Sequence, residues 1–272
     1  MAKAQLARLE LGDTWHFACD CWPADPAQEL NDAANLGDQP EVARLLDAGL
    51  PVDFMSPLTG SMPALVTAAL YGYLGLATFL VDRGADVNKK SVLGCTPAIG
   101  AAQGDHVDIL TLLADRGADL DATDARGLTA LAASLEQQGS DGPVIRPRLA
   151  ALAFLLERGA DPDKVDADAD GLAAPPLAVA AQGLAAAMKR GGHADAVAAF
   201  EAAIELLCEH GASADGIEGH RPLISVAVSS IRATATLLRA GADPNVAMLR
   251  ARCPTLAFGD HQTMRARIAA TT

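Results

Sequence analysis

Residues 94–124 read GCTPAIGAAQGDHVDILTLLADRGADLDATD, and this stretch predicts two short helices joined by a tight turn. Thr96 offers a side-chain oxygen that can cap the first helix, and Pro97 has its backbone torsion already set for the first turn. Asp105 is expected to cap the second helix in the same way. Gly117 supplies the positive φ that ends it. The unit is therefore helix, turn, helix and projecting polar loop.

The second helix of this unit has one apolar face. Ile109, Leu110, Leu112 and Leu113 recur at helical spacing. The first helix carries small residues at 101–102, which allow a neighbouring helix to approach closely. A pair of short helices cannot bury such a face alone, so the unit is expected to stack against similar units.

The same unit recurs along the chain. Its Gly-Ala-Asp ending is found again at 84–86, 159–161 and 241–243, with the variant Gly-Ala-Ser at 211–213. Gly84 and Gly117 lie 33 residues apart. The proline at the start of the unit recurs at positions 63, 97, 176 and 222.

This pattern resembles the ankyrin repeat, a unit of about 33 residues built around Thr-Pro-Leu-His. The resemblance covers nearly everything after residue 26. It implies an all-α solenoid, in which helix-turn-helix units stack and β-hairpin loops project from one side. Residues 27–272 would hold about six repeats and a partial C-terminal one, with insertions near 138–147 and 183–198.

Residues 1–26 precede the repeats and are predicted to be an N-terminal capping segment. They hold both tryptophans of the chain, Trp15 and Trp22. A terminal repeat exposes an apolar flank that must be covered, and these aromatic residues suit that task. A contact site for a partner protein is the alternative.

Charge narrows the range of partners. The formal net charge is −13, and no basic run is longer than two residues. Nucleic-acid binding requires a basic face, so we expect no nucleic-acid partner. An acidic surface either keeps a solenoid soluble or favours a basic protein partner.

Cysteine usage and hydropathy favour a cytoplasmic protein. The five cysteines are odd in number and do not form a disulfide framework. The first fifteen residues hold no continuous apolar segment, so we expect no signal peptide. No apolar run approaches the roughly 20 residues of a membrane span, so no membrane partner is expected. A monomer is favoured.

Two segments have residue types that bind metals. Asp166, Asp168, Asp170 and Gly171 match the start of a calcium loop, but its twelfth position is Leu177 and not a carboxylate. His16, Cys19 and Cys21 lack a fourth ligand at zinc-finger spacing. We expect no metal and no cofactor, and a calcium- or zinc-responsive binding module remains the alternative function.

No catalytic pattern is present. The sequence has no Gly-x-Ser-x-Gly, no His-Glu-x-x-His and no phosphate-binding glycine loop after a strand. His106 stands where the family usually has a histidine at the start of the second helix, so we interpret it as structural. The chain is predicted not to be an enzyme.

The resemblance implies a partner surface made of hairpin tips and the exposed ends of first helices. The predicted tip residues are Phe54, Met55, Leu58, Lys90, Val92, Leu93, Arg126 and Leu128. The predicted helix-end residues are Leu70, Tyr71, Gln103, Glu136 and Gln137. We therefore expect a non-catalytic scaffold that binds and blocks another protein, for example an immunity protein against a basic toxin or enzyme.

Overall fold

The computed structural model describes residues 26–55, 62–136, 147–165, 174–189, 194–214 and 230–242, and every regular element in these ranges is a helix. The helices are α1 Pro26–Leu36, α2 Gln39–Asp47, α3 Ala64–Tyr71, α4 Leu74–Asp82, α5 Pro97–Gly104, α6 Val107–Asp115, α7 Ala130–Leu135, α8 Leu149–Glu157, α9 Pro176–Lys189, α10 Ala194–Glu209 and α11 Ile231–Arg239.

The helices stack in two layers. The first helices of successive repeats contact one another in the order α1, α3, α5, α7, α9. The second helices do the same in the order α2, α4, α6, α8, α10, and α11 packs on α10. Each repeat therefore buries its apolar face against its neighbours, and the chain folds as the predicted all-α ankyrin-repeat solenoid.

Most of the predicted helix boundaries are confirmed. The Thr96 hydroxyl accepts a hydrogen bond from the Ile99 N–H at 3.3 Å, and α5 begins at Pro97. Gly117 has a φ of 80° and follows Arg116, the C-cap residue of α6. One boundary differs: Pro63 occupies the N-cap position of α3, which begins one residue later. Pro63 therefore corresponds to Thr96, the N-cap residue of α5, and not to Pro97, the first residue of α5.

The prediction that Asp105 caps the second helix of its own repeat is wrong. His106 is the N-cap residue of α6, and Asp105 ends α5 with a left-handed φ of 61°. The Asp105 carboxylate instead accepts a hydrogen bond from the Ala151 N–H at 2.8 Å. Ala151 lies in the first turn of α8, whose own N-cap residue Arg148 makes no side-chain cap bond. Asp105 thus caps a helix of the next repeat.

The core consists mainly of alanine and leucine. Ala101, Ala102, Leu110 and Leu113 are fully buried, as their spacing predicts. The first helices approach so closely that a Cβ added at Gly100 would lie 3.2 Å from the Val66 carbonyl oxygen. Small residues in the first helices therefore set the distance between repeats.

Among the helices of the described residues, the two longest belong to the fifth repeat. α9 has 14 residues and α10 has 16, against 8 and 9 in α5 and α6. The predicted insertion at 183–198 thus lengthens both helices, and Phe200 on α10 is fully buried beside Gly183 on α9. The other predicted insertion lies outside the described residues except for its last residue, Pro147, which is buried.

Acidic and amide side chains join successive repeats at the loops that follow the second helices. In each junction a backbone N–H donates to a side-chain oxygen of the preceding repeat. The pairs are Asp86 to Asp53 at 3.1 Å, Asp119 to Asn88 at 2.8 Å, Asp161 to Asp121 at 2.9 Å and Ser213 to Asp163 at 2.9 Å. We call this series the aspartate ladder. Burial raises the pKa of its first member, Asp53, above the ordinary value.

A second series of contacts joins the exposed ends of the second helices. In each contact an arginine of one repeat meets an aspartate of the preceding repeat. The pairs are Arg83 with Asp47 at 2.9 Å, Arg116 with Asp82 at 3.1 Å and Arg158 with Asp115 at 3.2 Å. Such exposed pairs contribute about 0–1 kcal/mol each, so burial of the apolar faces remains the main source of stability.

The aspartate ladder predicts the effect of a small substitution at Asn88. Asn88→Ala removes the acceptor of the Asp119 N–H, so the free energy of unfolding should fall by about 0.5–1.5 kcal/mol in a denaturant titration. Asn88→Asp keeps a side-chain oxygen at the same position and should retain most of this stability. Equal losses in both variants would show that the hydrogen bond is not the cause.

Candidate functional site

A tight turn at residues 91–95 projects before α5. The Ser91 N–H donates to the Cys95 carbonyl, and the Gly94 N–H donates to the Ser91 carbonyl, both at 2.9 Å. Gly94 has a φ of 75°, and a Cβ there would lie 2.5 Å from the Ala125 nitrogen of the next turn. Glycine is therefore required for this conformation and for the contact between the two turns.

The turn of the next repeat, residues 124–128, is tied to the first one. The Ala125 N–H donates to the Leu93 carbonyl at 3.0 Å, and the Lys90 ammonium donates to the Thr123 carbonyl at 2.8 Å. Within the turn, the buried Asp124 carboxylate accepts from the Leu128 N–H at 3.0 Å. The two turns therefore form one hydrogen-bonded unit.

Two apolar side chains stand exposed on this unit. Val92 is 64% exposed and Leu93 is 74% exposed, although both are large hydrophobic residues. Lys90 and Arg126 flank them and are also exposed. We call Lys90, Val92, Leu93 and Arg126 the tip surface, and all four belong to the residues predicted for partner binding.

Arg126 connects the tip surface to the first-helix layer. Its guanidinium donates to Asp124 at 3.0 Å and to Glu136 at 2.7 Å. Glu136 is the C-cap residue of α7, and its carbonyl oxygen accepts from the Arg148 guanidinium at 3.3 Å. The structure thus brings the predicted residues Arg126 and Glu136 into direct contact.

The predicted helix-end residues differ in exposure. Tyr71 is 53% exposed and Leu70 is half-buried. Gln103, however, is buried, which contradicts the exposure predicted for it. Its burial depends on the packing of α5 between α3 and α7, which residue spacing alone does not show.

The predicted tip residues also include some that are not exposed. Leu128 is buried, because it lies at the base of its turn where the chain enters the core before α7. Phe54 and Met55 are half-buried, and Phe54 packs against the core. Leu58 and Gln137 lie outside the described residues.

Sequence reasoning missed three exposed apolar residues, which are Leu36 at the end of α1, Leu74 at the start of α4 and Ile231 at the start of α11. Leu36 is 78% exposed. The exposure of Leu36 could have been predicted, because Leu36-Gly37 corresponds to Tyr71-Gly72. Each pair ends a first helix with a positive-φ glycine. We call Leu36, Tyr71 and Leu74 the turn patch, since all three lie at the turns between first and second helices.

The metal-binding alternative has no support within the described residues, where no group of three His, Cys, Asp or Glu side chains could hold a metal ion. The calcium-loop segment 166–171 and the segment with His16, Cys19 and Cys21 lie outside those residues. Burial raises the pKa of the Cys95 and Cys208 thiols to about 11, so both are poor nucleophiles near neutral pH.

An open depression of about 580 Å³ lies between the loops of repeats two to four. Among its lining residues are Asn88, Asp119 and Asp121. Their side-chain oxygens already accept backbone hydrogen bonds in the loops and at the junctions between repeats. These three side-chain oxygens are therefore already used by hydrogen bonds within the protein.

None of the helices in the described ranges combines the length and the apolar character needed to cross a membrane.

Comparisons with known proteins agree with this architecture. No curated protein matches the chain. The family model described as ankyrin repeats (3 copies) matches residues 30–124 and 65–166, together about half of the chain. The crystal structure of the human ASB11 ankyrin repeat domain is similar with a TM-score of 0.58 at 21% sequence identity, covering 79% of this chain and 84% of that one. The chain belongs to the ankyrin repeat family.

Proposed function

We propose that this protein binds a partner protein through the tip surface. Ankyrin repeats are in general protein–protein interaction modules, which supports the class of function. The single observation that carries the proposal is the exposure of Val92 and Leu93 on a turn that backbone hydrogen bonds tie to the next turn. Exposed apolar side chains on a rigid support lose little conformational entropy on binding.

Both cationic side chains of the tip surface already make polar contacts within the protein. Arg126 meets both Asp124 and Glu136, and Lys90 donates to a backbone carbonyl. The direct contact is therefore expected to be mainly apolar, with Val92 and Leu93 as its anchors. The net charge of −13 acts over a longer range and would speed the association of a basic partner.

We further propose that binding blocks the partner, as an immunity protein blocks a basic toxin or enzyme in the cytoplasm. The acidic net charge and the fold of a general non-catalytic scaffold support this role. In this view the protein acts by covering a partner surface and carries out no chemical step itself.

The proposal predicts that Val92→Asp with Leu93→Asp abolishes partner binding. Full-length protein is used to isolate its partner from the native lysate, and the affinity of the purified pair is then measured by calorimetry. Loss of two anchors of about 2 kcal/mol each, about 4 kcal/mol together, should weaken binding by roughly 1,000-fold. Ile231→Asp, at an equally exposed apolar residue on α11, should leave the affinity unchanged.

Two results would contradict the proposal. If the double variant retains its affinity, the binding site lies elsewhere on the chain. If Ile231→Asp weakens binding as strongly, the effect follows from added charge and not from the tip surface. The basic character of the partner is tested separately, because its association rate should fall steeply as salt is added.

A further inference from the structure

The turn patch is a second exposed apolar region, separate from the tip surface. Tyr73 makes its residues contiguous: its ring lies over Gly37, next to Leu36, and its hydroxyl donates to the Asn35 carbonyl at 3.1 Å. The same ring stacks on Tyr71 with 6.1 Å between centroids. Leu74 follows directly in the chain, so repeats one and two share one apolar patch.

The patch itself carries no charge. The nearest acidic residue in the chain, Asp38, uses its carboxylate to cap α2 by accepting the Glu41 N–H at 3.1 Å. An occupant with uncharged, aromatic side chains therefore fits this patch better than a charged one.

The chain itself supplies such an occupant at short range. The stretch 15–22 holds both tryptophans and Phe17, and Asp20 is its one acidic residue. It leads into Pro26, the first residue of α1, whereas the patch lies at the other end of that helix, about 15 Å along its axis. An extended chain spans at most about 14 Å from Trp22 to Pro26 and about 38 Å from Trp15. The stretch is therefore long enough to reach the patch.

We propose that residues 15–22 pack on the turn patch, with the Trp15 ring covering Leu36, Tyr71 and Leu74. The stretch lies outside the described residues, and the proposal rests on the exposed patch, on its lack of charge and on the length of chain that leads to it. The contact buries apolar surface on both sides, and its tether to α1 lowers the entropic cost of forming it. It leaves the tip surface free for a partner.

Tryptophan fluorescence tests this directly in the full-length protein, because Trp15 and Trp22 are the only tryptophans. The unaltered protein should show blue-shifted emission and weak quenching by acrylamide. Leu36→Asp with Leu74→Asp should shift the emission to the red and increase quenching several-fold. Val92→Asp with Leu93→Asp is the matched control and should change neither signal. Circular dichroism checks that each variant keeps its helices.

Three results would overturn the proposal. The first is water-exposed tryptophan emission in the unaltered protein. The second is shielded emission that the patch variant leaves unchanged, which would place the stretch elsewhere, for example on the outer flank of repeat one. The third is shielding that disappears on dilution, which would make a second copy of the chain the occupant. None of these outcomes bears on partner binding by the tip surface, which is measured with different variants.

Discussion

Phe200→Ala should lower the free energy of unfolding by about 3–5 kcal/mol, the usual cost of removing a fully buried aromatic ring. Phe200 is among the largest fully buried side chains of the described residues. Its ring occupies the space beside Gly183, where a Cβ would overlap it. The long helices α9 and α10 therefore meet around this ring, and its loss leaves a cavity between them. Urea denaturation followed by circular dichroism measures the change.

A matched control for this variant is available on the surface. Ile231→Ala removes an exposed apolar side chain and should change the stability by less than about 0.5 kcal/mol. Phe200→Leu should fall between the two, because it fills part of the cavity. A loss below about 1 kcal/mol for Phe200→Ala would mean that α9 and α10 do not depend on this ring.

Gly104→Ala should destabilise the protein by about 1–3 kcal/mol through overpacking. A Cβ at Gly104 would overlap the His106 ring and lie 2.7 Å from the Leu70 carbonyl oxygen. The same ring donates from Nε2 to that carbonyl at 3.2 Å, so the added methyl group also disturbs a hydrogen bond between repeats. Thermal and urea unfolding should both show the loss.

Two further variants separate overlap with the His106 ring from overlap with the Leu70 carbonyl and from a general intolerance of substitution. Gly75→Ala, in the first turn of α4, meets only a Gln39 side-chain atom at 3.7 Å and should stabilise the protein slightly through helix propensity. His106→Ala combined with Gly104→Ala should recover only part of the loss, since the backbone carbonyl of Leu70 remains in place. Full recovery would assign the whole effect to the ring, and an equal loss in Gly75→Ala would assign it to a general intolerance of substitution.

The local signals of the fold were predictable because each acts within a few residues. Thr96 and Gly117 bound their helices as the sequence indicates, since a cap or a positive φ depends only on the adjacent turn. Asp105 was not predictable in this way. Its hydrogen-bond donor, Ala151, lies 46 residues away, beyond a stretch whose length breaks the repeat period.

In the candidate site, too, local features were predictable and contacts between repeats were not. Val92 and Leu93 are exposed as the resemblance to ankyrin hairpin tips implies, because a tight turn places its central side chains outward. The burial of Gln103 follows from the neighbouring repeats, and no pattern within one unit reveals it. The side chains of the aspartate ladder recur in the sequence as Asp-x-Asp or Asp-x-Asn at 86–88, 119–121 and 161–163, a signal that sequence reasoning missed. The donors to these side chains follow only from the stacked arrangement.

The cap that Asp105 provides makes the order of the modules matter. Gly72 occupies the corresponding left-handed position one unit earlier, and it has no side chain to offer to a downstream helix. Exchanging the second and third units would therefore leave α8 without its cap and place a strained aspartate where nothing needs it. Shuffled or consensus versions of this protein should keep the third unit directly before the fourth, as a fixed pair.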